Sequence, residues 1–372
     1  MSNTQKKNVP ELRFPEFEGE WEEKQLGNII KVNSGKGYKH LDKGDIPVYG
    51  TGGYMTSVSE PLSEIDAVGI GRKGTINKPY LLEAPFWTVD TLFYCTPKKE
   101  TDILFILSLF RKINWKVYDE STGVPSLSKQ TINKINRFVP TNKEQQKIGK
   151  FFSKLDRQIE LEEQKLELLQ QQKKGYMQKI FSQELRFKDE NGNDYPDWTN
   201  ERLGEVTTVT MGQSPKSVNY TDNSNDTVLI QGNADIENGL INPRIYTREV
   251  TKLIQKDEII LTVRAPVGKL AMAQINACIG RGVCSIKGDK FLYYFLEWFA
   301  TQNKWIRFSQ GSTFESISGN DIRNIHIKIP VEDERTKIIK LLNSLDVLNS
   351  KTDLKIQNLK QRKQSLLQKI FV

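Results

Sequence analysis

Histidine, cysteine and long apolar runs are all scarce in this chain of 372 residues, and each scarcity removes a class of function. Two histidines, His40 and His326, give a His-based zinc centre or a Ser-His-Asp triad almost nothing to draw on. The three cysteines, Cys95, Cys278 and Cys284, are odd in number and lack Cys-x-x-Cys spacing, which fits a reduced compartment better than a disulfide-bonded secreted fold. The first residues lack the apolar core of a signal peptide, and the longest aromatic-apolar runs, 103–110 and 291–300, are shorter than a membrane span. A cytoplasmic chain without a membrane partner is therefore expected. No Walker A pattern and no Asn/Asp-Pro-Pro-Tyr/Phe signature occurs, so neither an ATP site nor a methyl-donor site is legible. The run from Gly69 through Gly71 to Gly74 has G-x-G-x-x-G spacing. A dinucleotide fold would open a helix at its third glycine, however, and here Pro79 follows within five residues.

What is present is a repeat. The segment 171–181, ending at Phe181, reappears as 361–371, ending at Phe371, and Pro140/Pro330, Leu155-Asp156/Leu345-Asp346 and Ile180/Ile370 stand in one ungapped register. Near the start of each half lie Leu12-Arg13-Phe14 and Leu185-Arg186-Phe187, then Trp21 and Trp198, then Leu26-Gly27 and Leu203-Gly204, with a short loop-like insertion at 188–194. Between these the halves diverge, keeping the landmarks Gly35/Gly212, Arg72/Arg264 and Ser126-Leu127-Ser128/Ser316-Ile317-Ser318. A period this long marks duplicated domains rather than a solenoid, and a duplicated half implies pseudo-two-fold symmetry, which duplex DNA shares. The net charge of +8 favours a polyanionic partner without identifying it.

The segment closing each half predicts a long helix. Phe152, Leu155, Ile159, Glu162, Leu166, Leu169, Lys173, Tyr176 and Ile180 step by alternating threes and fours, the spacing of a coiled-coil seam. Leu342, Leu345, Asn349, Thr352, Ile356, Leu359, Lys363, Leu366 and Ile370 repeat it. Each helix is expected to run roughly 60 Å at about 1.5 Å per residue, entered at Pro140 or Pro330. The alternative, helices packed only on their own domains, leaves a seam longer than a small domain needs. Antiparallel pairing of the two makes the halves equivalent and brings Phe371 beside the start of the chain. The expected layout is a recognition domain at 1–139, a spacer helix at 140–182, a second recognition domain at 183–329 and a second spacer helix at 330–372.

The divergent domains read as mixed α/β (α+β), with short β-rich runs such as 46–49, 227–230 and 258–263 separated by glycine turns. Their turns supply candidate DNA contacts: Lys36, Tyr38, Lys39, Tyr49, Thr51, Arg72, Lys73, Thr122 and Ser126 in the first, and Gln213, Ser214, Gln231, Asn233, Arg264, Arg281, Ser312 and Thr313 in the second. Arg and Lys pair with guanine edges, Gln and Asn with adenine, and hydroxyls and backbone amides bind phosphate.

Pro10-Glu11-Leu12-Arg13-Phe14 with Trp21 and Leu26-Gly27, the stretch from Ser126 to Pro140, Glu144-Gln145-Gln146-Lys147-Ile148, Leu155-Asp156 and their second-half counterparts resemble the specificity subunit of type I restriction-modification enzymes. The resemblance covers nearly the whole chain from about residue 10. It implies two target-recognition domains, each reading one half of a split, asymmetric site in double-stranded DNA, and paired helices that act as spacer and as docking surface for two methyltransferase subunits. It further implies no catalysis and no cofactor in this chain. S-adenosylmethionine would sit on the methyltransferase subunits, and ATP and magnesium on separate translocating endonuclease subunits. Glu334-Arg335-Thr336-Lys337 departs from Glu144-Gln145-Gln146-Lys147, which puts identical docking surfaces in doubt. Two other classes stay open on the residues alone: a stand-alone DNA-binding regulator, and a nuclease using Asp66, Glu83 and Asp90.

Overall fold

The computed structural model describes residues 8–305 and 316–372. The chain forms two compact units, one of Met1–Gln164 with Thr352–Val372 and the other of Lys165–Lys351. Two helices run through both: Asn142–Phe181, of 40 residues, and Glu332–Ile370, of 39. Every position of both predicted seams is buried or half-buried, as the three-four spacing requires of one continuous apolar face. Each helix opens two residues after its proline.

In the first unit the helix segments run antiparallel, as the ion pairs Asp156–Lys363 and Glu163–Lys360 show, the latter at 2.6 Å. A four-stranded antiparallel sheet orders Ile30–Ser34, Leu92–Pro97, Ala67–Gly71 and Tyr80–Leu82. A second sheet orders Gly53–Val58, Ile46–Gly50 and Trp87–Thr88, the last pair parallel. The helix Ile103–Lys112 is capped by Asp102, whose carboxylate accepts from the Phe105 N–H at 2.8 Å. Its inner face packs on the long helix through Phe105, Trp21, Phe152 and Phe371, whose rings lie 5.5–6.4 Å apart.

The second unit repeats this plan. The four-stranded sheet is Val209–Met211, Val283–Ile286, Ile259–Thr262 and Leu270–Met272, and Thr227–Ile230 pairs in parallel with Ala277–Ile279. Lys290–Thr301 takes the place of the capped helix, with Phe291 against Trp198 at 5.8 Å and Phe181 at 5.6 Å.

The likeness extends to buried charge. Glu144, 1% exposed at its side chain, accepts two hydrogen bonds from Arg13 at 2.8 and 2.7 Å and one from the Trp21 indole at 3.3 Å. Glu334, 0% exposed, accepts the same three from Arg186 at 3.1 and 2.7 Å and from Trp198 at 2.9 Å. The Leu12 N–H donates to the Lys369 carbonyl at 2.9 Å, and the Leu185 N–H donates to the Lys179 carbonyl at 3.0 Å. The first unit thus holds by a hydrogen bond between the two ends of the chain what the second holds within one continuous segment.

Candidate nucleic-acid interface

The turns carrying the candidate residues hang from one hydrogen-bonded frame that both units build. The Val89 N–H donates to the Tyr49 carbonyl at 3.0 Å, and the Gly280 N–H to the Ile230 carbonyl at 2.8 Å. Gly35 and Gly212 donate to Leu92 and Val283 at 3.1 and 3.0 Å. Arg72 and Val263 donate to Thr91 and Gly282 at 2.8 and 2.9 Å, and their carbonyls accept from Leu127 and Ile317 at 2.9 and 3.0 Å. Gly35 and Gly212 are obligatory here, since a Cβ would sit 2.0 Å from the Val89 carbonyl oxygen in one unit and 2.1 Å from that of Gly280 in the other.

This frame corrects one pairing read from the sequence. Arg72 and Arg264 are not counterparts: Arg72 matches the buried Val263, and Arg264 matches Lys73, as the bridges Lys73–Ser126 and Arg264–Ser316 also require. By the same bonds Lys36 matches Gln213, since both donate backbone N–H groups to the strand ahead, at 2.8 Å to Thr88 and 2.9 Å to Ile279, and Asp90 matches Arg281.

In the first unit Lys36, Lys39, Arg72, Lys73 and Thr122 are exposed, and Arg72 lies over the Phe93 ring at 5.9 Å with its Nη1 3.5 Å from the Asp90 carbonyl oxygen. Tyr38 instead packs against the small core of Val48 and Trp87, and half-buried Tyr49 lies between Tyr54 and Tyr80 at 6.4 and 6.1 Å; both shape the surface more than they offer it. Thr51 is half-buried in the turn after Tyr49. Ser126 closes the loop that projects Thr122. The Asp119 carboxylate, passed over in the sequence, accepts from the Ser126 and Ser121 N–H groups at 2.9 and 3.0 Å, and these bonds hold its pKa below the ordinary aspartate value. An Asp two residues before a Ser was the available signal.

In the second unit the candidates converge. Ser214, Gln231, Asn233, Arg264 and Arg281, drawn from four separate turns, line one polar cavity of about 400 Å³ together with Tyr220. No carboxylate lines it among the described residues. Its floor is fixed by Asp235, which is buried and accepts from the Gln231 and Gly232 N–H groups at 2.8 and 3.2 Å, and by the Ser214 hydroxyl, which accepts from the Arg281 N–H at 3.1 Å. Gln213 is exposed beside it. Ser312 and Thr313 lie outside the described residues. Among the described residues the two guanidinium groups make no ion pair and no carboxylate faces them, and with two carboxamides and hydroxyls they suit an anionic ligand with base edges.

Residues 18–171 and 195–361 match the family described as type I restriction modification DNA specificity domain. The chain belongs to this family. It is 30% identical over 261 residues to the putative type I restriction enzyme MjaX specificity subunit of Methanocaldococcus jannaschii, an alignment covering 66% of this chain and 61% of that protein. It is 25% identical over 312 residues to the MjaVIII specificity subunit of the same organism, covering 77% of this chain and 71% of the relative. The fold matches the crystal structure of the type I restriction-modification S subunit from M. genitalium with a TM-score of 0.69 at 16% identity, over 98% of this chain and 99% of that one. A chain from a structure describing complex assembly and conformational transition of the type I system matches with a TM-score of 0.59 at 19% identity, over 94% and 97%. Among the described residues no helix is long and apolar enough to cross a membrane, and no cluster of three metal-ligating side chains occurs.

Proposed function

We propose that this chain is the specificity subunit of a type I restriction-modification assembly, in which each unit reads one half of a split, asymmetric site in double-stranded DNA. The observation that carries this reading is the frame built twice with different side chains: Lys36 against Gln213, Lys73 against Arg264 and Asp90 against Arg281 on matched backbone bonds. A scaffold held constant while its exposed polar residues change is the arrangement by which two different base sequences are read with one docking geometry. The candidate contacts are those of the turns: Lys36, Lys39, Thr51, Arg72, Lys73, Thr122 and Ser126 on one half-site, and Gln213, Ser214, Gln231, Asn233, Arg264 and Arg281 on the other. The boundaries follow the long helices, with recognition domains at 1–139 and 183–329 and spacer helices at 140–182 and 330–372. The helices set the half-site spacing and dock two methyltransferase subunits. Those subunits bring S-adenosylmethionine, translocating endonuclease subunits bring ATP and magnesium, and this chain adds no catalytic group. The cytoplasm is its place of action. The test is to express the chain with its methyltransferase subunit and map methylated adenines. A bipartite motif that disappears without this chain is expected. Methylation or cleavage by the isolated chain, or tight site-specific binding that needs no partner, would overturn the reading, the latter in favour of a stand-alone regulator.

A further inference from the structure

One position of the shared frame carries opposite charge in the two units. Asp90 and Arg281 each follow the residue whose N–H docks on the neighbouring parallel strand, Val89 on Tyr49 and Gly280 on Ile230, and each precedes the residue whose carbonyl accepts from the adjoining turn, Thr91 from Arg72 and Gly282 from Val263. The two side chains therefore leave the backbone at the same point of the same loop. Both are exposed, and among the described residues neither makes a side-chain hydrogen bond or ion pair.

Their surroundings are cationic in both copies. Asp90 lies between Thr88 and Thr91, whose carbonyls accept from the N–H groups of Lys36 and of Arg72 and Lys73, all three exposed, and the Arg72 Nη1 is directed at the Asp90 carbonyl oxygen rather than its carboxylate. Arg281 stands with Arg264 on the cavity of the second unit. A carboxylate on a surface that meets DNA is repelled by phosphate, and its favourable partner on the nucleic acid is an exocyclic base amine. The arginine at the matched position has the complementary preference, donating two hydrogen bonds to O6 and N7 of guanine.

We propose that this is a base-reading position, at which Asp90 accepts from the N4 amine of cytosine in one half-site and Arg281 reads guanine in the other. The proposal rests on the DNA-reading function above and assigns to Asp90 a role in specificity rather than in hydrolysis.

The full chain, assembled with its methyltransferase subunits, is bound to duplexes randomised through both half-sites, and the bound fraction is sequenced. The wild-type assembly is expected to select cytosine at one position of the first half-site by about 5- to 150-fold, the range of one specific side-chain contact. Asp90→Asn is expected to move that position towards adenine, Asp90→Arg towards guanine, and Arg281→Asp to move one position of the other half-site from guanine to cytosine, with all other positions kept. Both substituted side chains are exposed, so folding is not at stake. Unchanged preference with Asp90→Asn and Asp90→Arg, or an Asp90→Ala assembly that gains affinity equally on all sequences, would overturn the proposal and leave the function standing. A wild-type assembly without preference at any position would overturn the function itself.

Discussion

Removing the Glu144 carboxylate tests whether the start of each half is locked to its long helix by buried charge. Glu144 is 1% exposed and satisfies three donors, two on Arg13 and the Trp21 indole. Glu144→Ala strands a guanidinium whose side chain is only 17% exposed and leaves an indole N–H without its acceptor. Breaking a buried pair from one side costs about 3–5 kcal/mol. Arg13 keeps the Gly19 and Glu18 carbonyls at 2.5 and 3.1 Å, which places the loss near the lower end, about 3 kcal/mol. In a unit of this size that corresponds to a fall in Tm of roughly 6–12 °C. Glu334→Ala removes the equivalent three bonds and a fourth from the Phe187 N–H at 3.3 Å, and should lower the second unit by at least as much. Urea titration followed by tryptophan fluorescence, with calorimetry alongside, reads both. Replacing both partners, Glu144→Leu with Arg13→Leu, should recover most of the loss, because no unpaired charge then remains buried. A loss below about 1 kcal/mol for Glu144→Ala, the range of an exposed pair, or a double variant no better than the single one, would refute the reasoning.

Arg264→Ala and Arg281→Ala are each expected to cost about 1–3 kcal/mol on the cognate second half-site and little on random DNA, whereas Lys39→Ala should weaken all sequences alike and lower the salt slope by about one; binding titrations over a salt series separate the two patterns. A circular permutant that joins Val372 to Asn8 through a short linker and opens after Gln183 should fold and support methylation of the same motif, since it exchanges the covalent link near Leu185 for the one that the Leu12–Lys369 hydrogen bond already approximates; a soluble permutant with a changed motif would count against this. Burial, only partly offset by Lys173 at 2.7 and 3.0 Å, holds the Glu297 carboxyl above the ordinary glutamate range. The folded second unit thus binds that proton more tightly than the unfolded chain and loses stability as pH rises from the ordinary glutamate pKa through the raised one. Glu297→Gln should flatten this part of the stability profile, measured by denaturation between about pH 4 and 7.

The long helices were legible because their signal is local: a three-four apolar spacing needs no knowledge of distant residues, and every seam position is buried or half-buried in the folded chain. The duplication was legible for the same reason, as likeness in one register. The scarcity of histidine and the lack of Walker A and methyl-donor signatures were likewise legible without reference to shape. What the sequence could not show is which residues far apart in the chain meet. Lys173 reads as a polar break in an apolar seam, and only folding brings it to Glu297 and Asp346, both at 2.7 Å, as it brings Lys363 to Asp156. The cavity of the second unit gathers Ser214, Gln231, Asn233, Arg264 and Arg281 from four turns whose order in the chain says nothing of their distance in space. The pairing of Arg72 with Arg264 failed by one residue because likeness of side chains does not set strand register. Backbone hydrogen bonds do, and they place Lys73 opposite Arg264 and Asp90 opposite Arg281. Asp119 and Asp90 look alike as isolated acids, and their roles separate only when one is found accepting the amides of its own loop while the carboxylate of the other is exposed with no partner among the described residues.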